Sequence, residues 1–161
     1  MILTDYYDIC ESAVVTLLKT TTAFSWVDAD KQVTKSNDTH LDGGFDTHAI
    51  TYPGAFPQSY GGTDVQTVQW EILLDLLVRW KKTEDEAWRE FKSFRSKVFN
   101  LFNLSYEGRD LNRTPGVTRV TLNATDRPRY IPLNRDPNTN IVTHIAQVTV
   151  LTITQEINKE Q

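Results

Sequence analysis

The run HLDGGFDTH gathers the side chains best suited to chemistry, His40, Asp42, Asp46 and His48. Imidazole nitrogens and carboxylate oxygens at short spacing are the ligand types of a divalent metal site. Such a site would make the chain a small metal-dependent enzyme or a metal-binding module. A polar surface loop turning at Gly43-Gly44 accounts for the same residues, and their spacing matches no known metal signature. A nucleophile needs a base within hydrogen-bond reach. His144 could serve Cys10 or a serine, but no GxSxG elbow is present and Cys10 falls on an apolar helical stripe, which reads as core. His144, between Thr143 and Ile145 in a strand-like run, reads as a surface or satisfied sheet residue. Gly61-Gly62-Thr63 is followed by a strand and by no Lys-Ser or Lys-Thr, so it is not a phosphate loop. Trp70, Trp80 and Trp88 suit core or interface anchors better than a ligand cage. Arg127, Arg129 and Arg135 give a basic tip that can meet phosphate or an acidic partner, or stay solvated. No catalytic, cofactor or metal residue is assigned.

The elements that would position these residues turn on VQWEILLDLLVRW, residues 68–80. Period two makes Val68, Trp70, Ile72, Leu74, Leu76, Val78 and Trp80 one apolar face. Period 3.6 aligns Glu71, Asp75 and Arg79 as a polar stripe, so periodicity alone does not arbitrate. Thr83 followed by Glu86 decides it, because this capping box would sit idle inside a helix of nearly forty residues. The expectation is a long central strand over 65–80, then a helix over 84–103 with Ala87, Trp88, Phe91, Phe94, Val98, Leu101 and Phe102 at helical spacing. Leu73 and Leu77 imply that the second strand face is partly covered.

A first helix is expected over 4–19, capped by Thr4 or Asp5, with Tyr6, Ile9, Cys10, Ala13, Leu17 and Leu18 facing the core. Residues 23–28 and 48–52 read as strands, 53–63 and 106–116 as turns and loop, and 117–125 and 141–157 as strands. Segments 29–47 and 126–140 are expected to project as loops or hairpins, with 130–133 paired. The order gives one α+β domain over 1–161: a mixed, mostly antiparallel sheet with two helices packed on it.

Net charge is −4 over 161 residues, which argues against a general nucleic-acid binder. One cysteine excludes an internal disulfide framework. The opening MILTDYYD does not read as a signal peptide, and no apolar run reaches the roughly 20 residues that span a bilayer.

The stretch VQTVQWEILLDLLVRWKKTEDEAWREF resembles the tail terminator (tail completion) proteins of long-tailed bacteriophages, and the chain length points to their T5-like branch. The likeness rests on Tyr60-Gly61 before a long strand, Trp70 and Glu71 near its middle, an acidic segment, and a helix opening on Ala87-Trp88. The first helix and the long Thr-rich last strand fit the same order. Segments 29–47 and 105–140 are longer than the pattern requires. The resemblance implies a structural virion protein with no catalytic residues and no cofactor. It would be assembled in the host cytoplasm at the head-proximal end of the tail. It implies a hexameric ring that caps the tail tube, stops its elongation and docks the head, with DNA sliding unbound through the lumen. Partners would be further copies of the chain, the tube protein and a head-completion or connector protein. A head-completion protein of the neck is the alternative. Glu71, Leu73, Asp75, Leu77, Arg79, Arg127, Arg129 and Arg135 are the expected subunit or partner interface.

Overall fold

The computed structural model describes residues 2–38, 45–80, 83–124, 126–136 and 140–159. Helix α1 spans Tyr6–Thr20, and its Asp5 cap accepts a hydrogen bond from the Asp8 N–H at 3.0 Å. A short helix α2 (Ala29–Gln32) and strands β1 (Val33–Lys35), β2 (Thr47–Pro53) and β3 (Gln58–Gly61) lead to the long strand β4 (Val65–Arg79). Helix α3 covers Glu84–Asn103, and the Thr83 hydroxyl caps it by accepting from the Glu86 N–H at 3.2 Å. The single turn α4 (Tyr106–Arg109) precedes strands β5 (Val117–Ala124), β6 (Arg129–Asp136) and β7 (Asn140–Asn158). The Thr83 half of the capping box thus does the work the sequence assigns to it: the chain stays extended up to Arg79 and is helical from Glu84.

The fold is α+β. Described strands form one sheet in the order β1-β2-β4-β7-β5, with β3 beside β4 and β6 beside β7. Only the β1–β2 pairing is parallel among them. Its spine is the antiparallel pair β4–β7, matched without interruption from Val65 opposite Asn158 to Arg79 opposite His144. Strands β2 and β3 share the other edge of β4, and β5 and β6 share the other edge of β7.

Alternation along the spine sends Ile72, Leu74, Leu76, Val78, Ile145, Leu151 and Ile153 to one face. They form the core with Cys10, Val14 and Leu18 of α1 and with Phe91, Phe94, Val98 and Phe102 of α3. Each of these fully buried side chains contributes about 1.5–3 kcal/mol through removal of apolar surface from water. Both long helices therefore lie on the same side of the sheet.

Five expectations are corrected. Residues 106–116, read as turns and loop, open with the helical turn α4, capped by the Ser105 hydroxyl accepting from the Gly108 N–H at 3.0 Å. Residues 23–28 form no strand: Thr22–Phe24 is a 3-10 turn and Ser25 takes a left-handed conformation. That turn stacks Phe24 on Trp26 at 5.3 Å, and the Trp26 indole N–H donates to the Leu18 carbonyl at the end of α1. Residues 29–38, expected to project, hold α2 and β1, while 39–44 lie outside the described residues. The stretch read as turns after Pro53 contains β3, which exists because β4 outruns β2 and leaves an edge to pair. On α1 the buried face is rotated from the expected stripe: Glu11, Val14 and Val15 are buried and Ile9 is exposed. Glu11 is tolerated there because its carboxylate accepts from the Thr51 hydroxyl at 3.1 Å.

Candidate functional site

The second face of the sheet has no helix on it among the described residues. Residues directly opposite in an antiparallel pair share a face. Asp75 therefore stands between Ile50 of β2 and Val148 of β7, Leu73 between Tyr52 and Val150, and Leu77 between His48 and Ala146. Glu71, Leu73, Asp75, Leu77 and Arg79, the five expected β4 interface residues, thus form one row on this open face. Leu77 is only 2% exposed, buried with Ile50 and Ala146 under Ile131 of β6. Leu73, Val148 and Val150 are half-buried, and Tyr52 is exposed.

Asp75 is the anomaly of the row. Its Oδ1 is buried with no hydrogen-bond partner, the only such side-chain atom among the described residues. Burial pushes its carboxyl above the ordinary aspartate range, and the nearby Arg129 guanidinium acts in the opposite direction. No described ion pair joins the two. Burial, and then the Asp75 charge, likewise raise the Tyr52 phenol.

Pairing of β6 with β7 places Arg129 opposite Ala146, on the open face, so the structure brings Arg129 to the β4 row. Arg127 lies exposed ahead of β6. The side chain of Arg135 is outside what is described. At the far end of the row, the Arg79 Nε sits 3.7 Å from Asp46 Oδ1, and the Arg79 N–H donates to the Asp46 carbonyl at 2.7 Å.

The candidate metal ligands are divided. His40 and Asp42 lie outside the described residues, Asp46 is engaged by Arg79, and His48 is buried in β2. Among the described residues no cluster of three or more His, Cys, Asp or Glu side chains is placed to share a metal ion. Cys10 is core: its thiol donates to Gln155 Oε1 at 3.6 Å, and burial pushes its pKa up to about 12. A thiol held so far from ionisation is a poor nucleophile at neutral pH. His144 is buried in β7, facing Arg79 across the spine.

Other polar features were not singled out from sequence. Gln155, buried in β7, also accepts from the Trp70 indole N–H at 3.0 Å and donates to the Pro115 carbonyl at 2.9 Å. Trp88 donates to the Tyr130 hydroxyl at 2.9 Å, which donates to Glu84 at 2.8 Å, tying β6 to the start of α3. On the β5 side, the Asn103 amide receives the Leu122 N–H and donates to the Leu122 carbonyl, both at 2.8 Å. A side chain thus occupies the outward backbone groups of an edge strand. Gly54 lies so close over β4 that a Cβ there would meet Glu71 Cγ at 2.8 Å, and the loop it opens carries Phe56, 92% exposed. Only the alternation of β4 was legible beforehand; the rest depends on long-range pairing.

The sequence matches no protein-family model and no curated protein. Among the described residues no helix is long and apolar enough to cross a membrane.

Proposed function

We propose that the chain is the subunit of a closed structural ring of the phage tail terminator kind. Its hexamer caps a finished tail tube, stops elongation and offers its opposite side to the head's connector. The observation that carries this reading is the second face of the β4–β7 spine, where Leu73, Val148 and Val150 lie around the Asp75 carboxylate, whose buried Oδ1 has no hydrogen-bond partner among the described residues. Half-buried apolar rows interrupted by one unsatisfied polar group suit a surface that another protein covers. Within the stretch that carries the resemblance, Val65–Arg79 is a strand and Glu84 opens a helix capped by Thr83, the order on which that resemblance depends. A net charge of −4 per subunit also suits a lumen through which DNA slides without sticking.

Native mass spectrometry of the chain mixed with tail tube protomer tests the reading. A stable complex containing several copies of the chain is expected. No complex at any mixing ratio would overturn it.

A further inference from the structure

We propose that the groove between α3 and the end of β5 is a docking site for an acidic peptide segment of a partner protein, one that sets an apolar side chain between carboxylates. The groove lies on the helix side of the sheet, away from the Asp75 row, and the inference goes beyond the ring reading.

The chain carries a net charge of −4, yet residues 89–100 hold Arg89, Lys92, Arg95 and Lys97 against the single acid Glu90. All four cations are exposed, and none is in a described ion pair. Lys92, Arg95, Ser96 and Phe99 follow at helical spacing and form one wall of a groove of about 440 Å³. The other wall is the end of β5, from Leu122 to Ala124, and no carboxylate lines the groove among the described residues. Lys97 points elsewhere, beside Phe24 and Thr21.

The rim is built before a partner arrives. Arg95 Nη1 donates to the buried Gln147 Oε1 at 3.2 Å, and its guanidinium lies over the Phe91 ring, 5.7 Å from the centroid. A guanidinium carries several N–H donors, so others remain for a carboxylate. A cation already fixed in place costs little ordering on binding. Phe99, 45% exposed, gives the same wall an apolar surface on which an aliphatic or aromatic side chain can rest.

The β5 wall adds backbone groups. Asn103 takes the outward N–H and carbonyl of Leu122. Outward groups recur at every second residue of an edge strand, so those of Ala124, exposed at the end of the groove, point outward as well. An extended segment laid along the groove meets them with its own main chain. A nucleic-acid duplex presents phosphates, but neither an apolar side chain for Phe99 nor a strand-like backbone for Ala124. The combination of cations, apolar wall and strand edge therefore selects an acidic peptide.

Panning a yeast-displayed random peptide library on the intact chain tests this. Enriched peptides should share an aliphatic or aromatic residue flanked by Asp or Glu. Binding of the most enriched peptide, read by fluorescence anisotropy, should weaken at least about tenfold in Lys92→Glu and in Phe99→Ser, both at exposed sites. Lys97→Glu makes the same charge change on the same helix outside the groove, and should weaken binding less than about threefold. Circular dichroism reports whether each variant is folded. No enrichment of acidic peptides, or a loss as large in Lys97→Glu as in Lys92→Glu, would overturn the inference. A labelled DNA duplex in the same assay gives the rival outcome: binding tighter than the peptide's, and weakened alike by Lys92→Glu and Lys97→Glu, would assign this face to phosphates and remove the peptide site.

Discussion

Asn103→Ala should unlock the β5 edge. The amide makes two 2.8 Å bonds to Leu122, one to its N–H and one to its carbonyl, across the outer side of a buried strand residue. Each bond is worth about 1 kcal/mol net, and a buried group left unsatisfied costs about 1–3 kcal/mol. Asn103 is half-buried, so water serves part of the vacated site. That limits the loss to about 2–4 kcal/mol. Alanine returns about 0.5 kcal/mol through its higher helix propensity at the end of α3. The net expectation is about 1.5–3.5 kcal/mol in urea melts, or roughly 4–12 °C in Tm for a chain of this size. Asn103→Asp keeps the acceptor but sets a carboxylate against the Leu122 carbonyl, and should be no more stable. Freed edge groups should also raise light scattering on storage, because unpaired edges template strand addition. A loss below about 0.5 kcal/mol for both variants would show that solvent satisfies this edge and that the amide does not guard it.

Thr83→Ala should cost about 1 kcal/mol by removing the α3 cap, and a urea midpoint unchanged from the parent would deny the cap its role. Trp88→Ala should cost about 2–3 kcal/mol, less than for a fully buried tryptophan, because Trp88 is half-buried against Phe91 and Tyr130; a loss under about 1 kcal/mol would show that the clasp to β6 is idle. Asp75→Leu should raise the stability of the monomeric chain by about 1–3 kcal/mol at neutral pH. Its carboxyl pKa is raised in the folded state, so the folded chain binds the proton more tightly than the unfolded chain. The penalty of the charged form is therefore full above the raised value and fades as pH falls towards the unfolded one. The gap between variant and parent should narrow on acidification; a gap that widens would contradict the assignment.

The β4–Thr83–α3 succession was legible because three local signals agree there: alternation, a cap and helical spacing. So was β7, where alternation runs through Ile145, Leu151 and Ile153. Segment 23–28 misled because Phe24 and Trp26 alternate like strand residues. Their partners are Phe94 and the Leu18 carbonyl, which no local pattern encodes. Strands β1 and β3 are too short and polar to announce themselves, and they exist because β2 and β4 offer edges. Glu11 broke the α1 stripe because a buried carboxylate is tolerable only with a hydroxyl across from it, here Thr51 from a distant strand. For the site, alternation placed Glu71 to Arg79 on one face, but nothing local showed that Asp75 Oδ1 would be buried without a hydrogen bond among the described residues or that Arg129 would come to lie near it. Both facts are set by the neighbours that register selects, and register is a long-range property.

The central claim, that the chain caps a tail tube, is tested most directly by adding it to polymerising tube protomer and measuring tube lengths by electron microscopy. The account predicts that elongation stops and that each arrested end carries a ring whose mass corresponds to about six chains of 18.5 kDa. Tubes that grow to the same lengths with and without the chain, and whose ends remain bare, would contradict it.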